Sequence, residues 1–422
     1  MNAHLLADVI IVGAGPAGIS AVTQLLRAQR RVIWIDQGLR PGGQIWRAGP
    51  PKPWADALNQ ARSNPLLQLL SGHAVIAAEG RDGEGYRLRL QNLQAPGSGG
   101  ILVQAPQLLL ALGARERFLP FPGWTLPGVS GAGGLQALIK NGWPIAGKRV
   151  VLAGSGPLLL ASADTAMAAG AKVMLLAEQA PRTALARFGA RLPLAKLGQA
   201  AGLAWRLRGM PYRPGTWVTR ALGDAKVEAV QLSNGLRQWE LPCDALGVGY
   251  GLLPNTELAE LLGCRIEAGA IAVDGDQQCS LPGVFAGGEC TGIGGVDKAL
   301  AEGHIAALRM LDQATAHLAR RHRQTQRFAA NLQVSFALRP ELLQLADAKT
   351  LVCRCEDVSL GELKSQRSWR DAKLQTRCGM GACQGRICGP ITESLLAWPQ
   401  ASSARGLRAP LQPAPLRCLL DE

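Results

Sequence analysis

Five of the ten cysteines in this 422-residue chain lie in one C-terminal stretch. Cys353 and Cys355 form a Cys-x-Cys pair, and Cys378, Cys383 and Cys388 follow further along the chain. Thiolates that converge from two short segments are the ligand set of a [2Fe-2S] cluster. The same stretch holds four glycines, Gly379, Gly381, Gly385 and Gly389. Bare backbone there would let N–H groups approach the sulfurs, so the pattern predicts an iron–sulfur cluster.

The cysteine pattern leaves alternatives open. Structural zinc sites favour cysteines separated by two to four residues, so the tight Cys-x-Cys pair is less typical of zinc. Inert or disulfide-bonded cysteines are a third interpretation. Spacing also leaves the fourth ligand undecided, because Cys378 with Cys383 and Cys383 with Cys388 are both Cys-x4-Cys pairs.

A second chemical pattern lies near the N-terminus. An apolar run, residues 8–12, leads into a glycine-rich turn and a helix-like stretch, and the next apolar run ends in Asp36. Strand, G-x-G-x-x-G, helix, strand and terminal acid form the dinucleotide fingerprint, with the pyrophosphate at the helix N-terminus and the acid on the ribose. The predicted cofactor contacts are Gly13, Gly15, Pro16, Ala17, Gly18, Asp36 and Gln37.

A second and less regular fingerprint begins at residue 149. Its turn runs from Gly154 through Gly156 to Leu159, and its second strand is followed by Glu178. Leu159 stands where the third glycine is expected, and it would push helix and strand apart or displace the pyrophosphate. Glu178 at the ribose position favours NAD over NADP. The predicted contacts are therefore Gly154, Gly156 and Glu178, and a scaffold without a nicotinamide cofactor, or a site for another nucleotide, is the alternative.

Composition is typical of an α/β nucleotide-binding protein, because charged residues make up only 18% and glycine numbers 51. The sequence has no apolar run long enough to cross a membrane and no basic region ahead of one at its start, so a cytoplasmic protein with reduced thiols is expected. The net charge is +14, but the basic residues are scattered and are not interleaved with aromatic residues as on a base-stacking surface. We therefore expect no nucleic acid, and prefer an acidic partner subunit or an anionic membrane surface; a solvated basic face stays open.

The remaining chemistry-bearing residues predict no catalytic group. The five histidines have neither metal-ligand nor catalytic-triad spacing. Cys290 follows a Gly-Glu pair and is a candidate redox thiol, but it has no partner cysteine nearby in sequence. A buried structural thiol is the preferred interpretation.

Three segments resemble those that line FAD in two-dinucleotide flavoprotein reductases. They are Pro41-Gly42-Gly43-Gln44, the strand and turn from Leu108 to Ala114, and Gly288-Glu289. Leu112 stands where those reductases often have threonine, and Glu289 where they have aspartate. The resemblance implies FAD contacts from Gly43, Gln44, Ala114, Gly288 and Glu289. Residues 74–104, between two of these segments, predict a β-meander.

The whole chain resembles the α (A) subunits of bacterial multi-subunit, flavin-dependent amino-acid and imino-acid dehydrogenases, such as hydroxyproline dehydrogenase, octopine and nopaline oxidase, heteromeric proline dehydrogenase and hydrogen cyanide synthase. The segments that carry this resemblance are 251–258, 288–295 and 376–388. The cysteine module resembles the bacterioferritin-associated ferredoxin domain, a small helical [2Fe-2S] fold. The resemblance selects Cys353, Cys355, Cys383 and Cys388 as ligands and leaves Cys378 as the spare thiol.

The resemblance implies an electron-transfer subunit. Substrate would be oxidised on a separate β subunit of the D-amino-acid-oxidase type with its own FAD. Further expectations are FMN at an interface between subunits and a small ferredoxin-like component. The expected substrate is cis-4-hydroxy-D-proline, ahead of opines, proline and glycine, and electrons would leave at the cytoplasmic side of the inner membrane. Two alternatives remain: a self-sufficient NADH-dependent flavoprotein reductase, and a redox-silent structural subunit.

The expected fold class is α/β, a two-dinucleotide-binding-domain flavoprotein plus a small helical [2Fe-2S] domain. The predicted domains are an FAD-binding Rossmann-like domain at 1–118 and 272–335, an NAD-like domain at 119–271, the [2Fe-2S] domain at 345–396 and an extended tail at 397–422.

Overall fold

A computed structural model describes residues 4–81, 83–396, 398 and 406–420. The chain divides into two compact units. Unit 1 comprises Met1–Arg115, Leu253–Ala330 and Leu407–Glu422, and unit 2 comprises Glu116–Leu252 and Asn331–Gly406. No helix of the described residues is both long and apolar enough to cross a membrane.

The strands are β1 (His4–Leu6), β2 (Val9–Val12), β3 (Val32–Asp36), β4 (Leu67–Ser71), β5 (His73–Arg81), β6 (Gly85–Asn92), β7 (Ile101–Ala105), β8 (Gln107–Leu110), β9 (Ala114–Glu116), β10 (Val129–Gly131), β11 (Arg149–Gly154), β12 (Lys172–Glu178), β13 (Tyr212–Pro214), β14 (Trp217–Leu222), β15 (Ala229–Ser233), β16 (Gln238–Pro242), β17 (Ala245–Gly249), β18 (Leu252–Pro254), β19 (Ile266–Glu267), β20 (Ala270–Ile271), β21 (Val284–Ala286), β22 (Leu351–Cys353) and β23 (Val358–Ser359). The α-helices are α1 (Pro16–Arg27), α2 (Lys52–Arg62), α3 (Ala132–Lys140), α4 (Pro157–Ala168), α5 (Arg182–Ala190), α6 (Leu194–Arg206), α7 (Glu257–Leu262), α8 (Val296–Met310), α9 (Ala319–Ser335), α10 (Leu360–Lys364), α11 (Trp369–Thr376) and α12 (Cys388–Leu395). Short 3-10 helices span Glu289–Thr291, Ala316–Leu318, Pro340–Gln344 and Leu416–Cys418.

Unit 1 is built on a parallel sheet in the order β21-β8-β2-β3-β4. All four residues of β2 are buried, as expected for a parallel strand that is covered on both faces. One face packs against α1, where Val9 and Ile11 meet Ile19 and Leu25. The order and the helix that follows β2 place the first glycine-rich turn at the carboxyl end of the sheet, where dinucleotides bind in such folds.

The other face of this sheet is covered by a mixed sheet in the order β1-β7-β6-β5, in which β1 runs parallel to β7 and the other neighbours are antiparallel. Strands β5, β6 and β7 pair in succession, so the predicted β-meander is confirmed. Its buried side chains, including Leu88 and Val103, share one apolar cluster with Ile10 and Ile33 of the parallel sheet. The parallel sheet therefore lies between helices on one face and the meander on the other. These two layers hold in place the carboxyl ends of its strands.

Unit 2 repeats this plan. Its parallel sheet has the order β10-β17-β11-β12-β13. Leu152 of β11 packs with Leu135 of α3 and Leu159 of α4 on one face. The antiparallel sheet β14-β15-β16 packs on the opposite face, where Val151 and Val230 share one cluster.

The cysteine module belongs to unit 2 and shares its core. Val352, Leu363 and Ile391 lie in the same apolar cluster as Trp217. The indole N–H of Trp124 donates to the carbonyl of Leu351 at 2.7 Å. The module is therefore packed onto the second dinucleotide-type sheet rather than carried on a free linker.

The predicted fold class is confirmed, with two Rossmann-like parallel sheets in a mixed α/β chain. The predicted domain division stays a prediction. The compact units differ from it in placing 331–406 with 116–252. The predicted tail at 397–422 falls partly outside the described residues; its described end belongs to unit 1, where Leu411 N–H donates to the carbonyl of Ile76 at 2.8 Å.

Candidate cofactor sites

The first glycine-rich loop, between β2 and α1, is shaped by close backbone approaches. A Cβ at Gly13, whose φ is +108°, would lie 2.1 Å from the carbonyl oxygen of Ala111. A Cβ at Gly18 would lie 2.1 Å from the carbonyl oxygen of Gly13, so α1 begins directly against the loop. Gly15 differs, because a Cβ there would meet nothing within 4 Å. The outer face of this loop is open at the N-terminus of α1, where a helix favours an anionic group.

Asp36 ends β3 beside this loop. Its carboxylate accepts from the backbone N–H of Ala14 and of Gly38, each at 2.6 Å. Burial raises the pKa of this carboxyl, although the side chain remains partly exposed. Gln37 is exposed. Sequence reasoning missed Trp34, whose indole N–H donates to the carbonyl of Gly13 at 3.1 Å and fixes the loop from below.

The predicted segment 42–44 lies against the same loop. Gly42 N–H donates to the carbonyl of Ala14 at 2.7 Å. A Cβ at Gly43 would lie 2.9 Å from the Cα of Gly15. Gln44 is exposed, and its side-chain oxygen accepts from Arg47. Backbone therefore runs past the open face of the loop, as the resemblance to the flavoprotein reductases implies.

The turn before Ala114 is held by Asn255. Its N–H donates to the carbonyl of Gly113 at 3.1 Å, and its side-chain amide donates to the carbonyl of Leu112 at 2.8 Å. Ala114 itself begins β9 and is partly exposed. Backbone carbonyls are thus tied down at the position where the reductases carry threonine, so the change to leucine leaves the turn intact.

Gly288 lies beside α1, since a Cβ there would be 3.2 Å from the Cβ of Ala17. The carboxylate of Glu289 accepts from the N–H groups of Gly295 (2.6 Å) and Gly294 (3.2 Å), at the start of α8. Burial raises the pKa of this carboxyl. Glu289 therefore caps the N-terminus of α8, and its predicted contact with FAD stays a prediction.

A buried ion pair behind this turn was missed by sequence reasoning. Lys298 lies on α8, and its ammonium donates to the carbonyl of Gly288 (3.0 Å), the hydroxyl of Thr291 (2.8 Å) and the carboxylate of Glu302 (2.8 Å). The spacing of Lys298 and Glu302, four residues apart on a helix directly after the glycine-rich turn, was the available signal. Together these contacts fix the backbone of Gly288.

The first site fits FAD. Four parts of unit 1 converge around the open face of Gly15: the fingerprint loop, segment 42–44, Asp36 and the turn at Gly288. A dinucleotide needs such a face for its pyrophosphate and an acid near its ribose.

The second glycine-rich loop, between β11 and α4, has a different conformation. Gly156 has φ +95°, whereas Gly15 at the matching position has φ −79°. The carboxylate of Glu178 accepts from the N–H groups of Gly156 and Ala180, each at 2.8 Å. Burial raises the pKa of Glu178 to about 7, and its side chain is only 2% exposed. Leu159 is buried against the sheet. The changed loop thus accommodates helix α4. The second loop does not share the fit to a dinucleotide that the first site has.

Two of the predicted cluster ligands, Cys353 and Cys388, lie together in unit 2 with Cys378, the predicted spare thiol. The sulfurs of Cys353, Cys378 and Cys388 lie within 4.8 Å of one another, and all three residues are buried. The thiol of Cys383 is in hydrogen-bonding contact with those of Cys388 and Cys355. A Cβ at Gly381 would lie 2.3 Å from the Cβ of Cys355, which presses that cysteine against the 379–385 loop. Five thiols therefore form one group, three inside and two towards the surface.

Local structure explains this convergence. Cys353 ends β22, Cys378 follows the left-handed residue that ends α11, and Cys388 begins α12. Hydrogen bonds from the thiols of Cys378 and Cys388 lower the pKa of Cys353, and contact with Cys388 lowers that of Cys383 to about 5. The thiolate is the form that binds metal, so the group fits an iron–sulfur cluster or zinc.

Two of the four glycines of this stretch act as the pattern predicts, and one of them also makes room for an aromatic ring. The N–H of Gly379 donates to the sulfur of Cys353, and that of Gly385 to the sulfur of Cys383. A Cβ at Gly379 would also lie 2.5 Å from the ring of Trp369, so the glycine makes room for this indole. The structure places Cys378 among the three closest sulfurs; which four thiols serve as ligands stays a prediction.

Cys290 has the contacts of a structural thiol. It is fully buried, and its sulfur lies within hydrogen-bonding distance of two carbonyl oxygens, those of Leu110 (3.3 Å) and Gly287 (3.4 Å). Burial raises its pKa to about 11, which keeps it protonated at neutral pH.

Comparison with known proteins agrees with the two dinucleotide-type sheets. Residues 7–303 match the pyridine nucleotide-disulphide oxidoreductase family. The chain belongs to this family. It is 32% identical to the A-type subunit of opine oxidase from Rhizobium meliloti (strain 1021), over 92% of each chain. It is 33% identical to hydrogen cyanide synthase subunit HcnB of Pseudomonas aeruginosa, over 90% of each. The predicted relationship to these subunits is confirmed.

Solved structures share the fold. L-proline dehydrogenase from P. horikoshii has a TM-score of 0.67 at 19% identity and covers 100% of this chain and 81% of its own. Thioredoxin reductase from T. acidophilum has a TM-score of 0.58 at 21% identity and covers 73% of this chain and 98% of its own. At these identities the likeness supports the fold.

Proposed function

We propose that this chain is the electron-transfer (α) subunit of a multi-subunit, flavin-dependent dehydrogenase that oxidises an amino or imino acid. The observation that carries the proposal is the presence, in one chain, of an open dinucleotide loop at Gly15 and a group of five converging thiols. A relay needs both. The chain-long similarity to subunits of opine oxidase and hydrogen cyanide synthase supports the same assignment.

The proposed cofactors are FAD in unit 1 and a [2Fe-2S] cluster in unit 2. FAD exchanges electrons in pairs or singly, and a cluster carries single electrons. Gly13, Gly15 and Asp36 would hold the dinucleotide, while Glu289 and Lys298 order the turn beside it. The proposed cluster ligands are Cys353, Cys355, Cys383 and Cys388.

The proposed partner is a β subunit of the D-amino-acid-oxidase type, with its own FAD, on which the substrate is oxidised. FMN at the interface between subunits and a small ferredoxin-like component belong to the same proposal, as does electron delivery at the cytoplasmic surface of the inner membrane. The proposed substrate is cis-4-hydroxy-D-proline, ahead of opines, proline and glycine. That order rests on the family resemblance.

The test is to purify the tagged chain from its native host, identify the copurifying subunits and measure flavin, iron and amine-dependent dye reduction. Cys383→Ser should abolish dye reduction by the complex, whereas Cys243→Ala, which changes a buried thiol outside the group, should retain it. Unchanged dye reduction in the Cys383→Ser complex would favour a redox-silent subunit.

A second measurement addresses the reductase alternative. NADH is added without oxygen to the isolated chain, and the flavin and cluster absorption bands are followed. Persistence of the bands is expected for a subunit that receives electrons from its partner. Rapid bleaching would instead favour a self-sufficient NADH-dependent reductase.

A further inference from the structure

The two fingerprint loops differ in what lies over them. Gly15 of the first loop is partly exposed, and a Cβ there would meet nothing within 4 Å. Gly156 of the second loop is buried, and a Cβ there would lie 3.8 Å from the aromatic ring of Phe336. In a dinucleotide fold the second glycine is the point where backbone approaches the pyrophosphate. At that point this chain carries one of its own side chains.

Phe336 belongs to a short segment, residues 336–339, that we call the strap. The hydroxyl of Ser155, inside the second loop, donates to the carbonyl of Phe336 at 3.2 Å. Gln179 follows the ribose-position acid, and its amide donates to the carbonyl of Ala337 at 3.0 Å and to Ser155 at 2.9 Å. Its amide oxygen accepts from the N–H of Arg339 at 3.1 Å. The strap is thus bonded along its length to the loop and to the end of β12.

The matching residues of the first site are not used in this way. Gln37, which follows Asp36, is exposed, whereas Gln179, which follows Glu178, is fully buried. A buried amide whose donor and acceptor are both bonded to one segment indicates a built contact. The strap therefore replaces solvent over the second loop.

Aromatic contacts hold both ends of the strap. The ring of Phe336 packs edge-to-face on Phe188 of α5, with centroids 5.0 Å apart. The guanidinium of Arg339 lies 4.5 Å above the ring of Trp217. Such contacts stabilise a packed segment beyond the burial of its area. Displacing the strap would remove them together with its hydrogen bonds.

The loop also lacks the backbone donor that a diphosphate would require. The N–H of Gly156 at the start of α4 is bonded to the carboxylate of Glu178 at 2.8 Å. A helix N-terminus attracts a phosphate through such N–H groups. Here the carboxyl group of Glu178 accepts from that N–H instead.

We propose that the strap is the permanent occupant of the second dinucleotide site, so that this site takes no nicotinamide or adenine nucleotide. The inference goes beyond the proposed function, because it concerns a site that the proposed electron path does not use. It explains how a Rossmann-like sheet is kept as a platform for the cysteine module.

The test uses the purified complex and isothermal titration with NADH, and separately with ATP. The wild type is expected to give no binding up to about 1 mM, the weak end of ordinary enzyme affinities. Phe336→Ala/Gln179→Ala removes the ring and both amide anchors, and should bind NADH about tenfold or more tightly than the wild type. Trp205→Ala, which removes an exposed ring elsewhere in unit 2, should remain without binding.

Two results would overturn the proposal. One is stoichiometric binding of NADH or ATP by the wild type that Glu178→Lys changes. The other is a double variant that retains flavin and iron yet binds no nucleotide. Should the double variant fail to fold, hydrogen exchange of the wild type decides: protection of the Arg339 amide unchanged by NADH and ATP supports the strap, and loss of that protection refutes it.

Discussion

The ammonium of Lys298 lies 2.8 Å from the carboxylate of Glu302, and the two side chains are only 2% and 1% exposed. Burial acts to raise the pKa of Glu302, but hydrogen bonding from His322 and the charge of Lys298 outweigh it, and that pKa is lowered. Glu302 is therefore a carboxylate inside unit 1, beside the ammonium of Lys298. Since Lys298 also holds the carbonyl of Gly288, this pair orders the turn proposed to face FAD.

Lys298→Met should lower the free energy of unfolding by about 3–5 kcal/mol, because it leaves a buried carboxylate without its cation. Chemical denaturation of the chain measures this. Arg265→Met is the matched control, since it breaks an exposed pair with Glu267 and should change stability by at most about 1 kcal/mol. Equal effects of the two substitutions would contradict the role given to the buried pair.

Gly15→Ala should reduce flavin content without unfolding the chain. The backbone there, with φ −79°, suits alanine, and the added Cβ meets no protein atom within 4 Å. It projects from the open face where the pyrophosphate is proposed to lie, so FAD affinity should fall about tenfold or more. Flavin absorbance per chain and the melting temperature of the apo form are the measurements.

Gly97→Ala provides the control for that substitution, because its Cβ also meets nothing within 4 Å and lies away from the loop. It should keep full flavin content. Normal flavin in the Gly15→Ala chain would argue against a dinucleotide at this loop.

Single cysteine substitutions should separate ligands from the neighbouring thiol. Replacing Cys355, Cys383, Cys353 or Cys388 by serine is expected to remove most of the iron and the visible absorption of the cluster, since a [2Fe-2S] cluster takes four thiolates. Cys378→Ser should retain them. Iron content and paramagnetic resonance of the reduced complex provide the readout. If Cys378→Ser lost its iron while Cys355→Ser kept it, Cys378 would be the ligand and Cys355 the spare thiol. The proximity of Cys378 to Cys353 and Cys388 allows this outcome.

Glu178 should make the stability of the chain depend on pH. Burial raises its folded-state pKa to about 7, above the value in the unfolded chain. The unfolded state therefore loses this proton first, and stability should fall as pH rises from the ordinary carboxyl range to about 7, by on the order of 3 kcal/mol in total. Chemical denaturation at about pH 5 and about pH 8 measures the change, and Glu178→Gln should reduce it, since the raised-pKa carboxyls of Asp36 and Glu289 remain.

Asp244→Asn is the control, because the pKa of this carboxyl is lowered whereas that of Glu178 is raised. A hydrogen bond from Arg149 lowers the pKa of Asp244 to about 2, so its stabilising contribution is lost only as pH falls towards that value. The variant should therefore show the same change as the wild type between about pH 5 and about pH 8. If the free energy of unfolding of the wild type does not fall in that interval, the interpretation of Glu178 as a buried carboxyl with a raised pKa is refuted.

Patterns that are local in the chain were predictable. The first fingerprint indicated β2, the loop, α1 and Asp36, because φ at Gly13 and the close approach of Gly18 admit only glycine. The second fingerprint indicated β11, α4 and β12 in the same way. The meander followed from alternating strands and turns. These elements depend on interactions within a few residues, which spacing in the sequence records directly.

Contacts between distant residues were not predictable from spacing. The sequence offered two Cys-x4-Cys pairs, and only the fold brought Cys378 as well as Cys388 against Cys353. Likewise, nothing near Gly156 in the sequence signals that Phe336 lies over it. Such contacts join residues far apart in the chain, and they depend on how sheets, helices and the cysteine module pack. The sequence by itself determined which residues are able to bind cofactors; the tertiary structure decided which thiols meet and which of two similar loops stays open, because packing sets side-chain positions that no local period encodes.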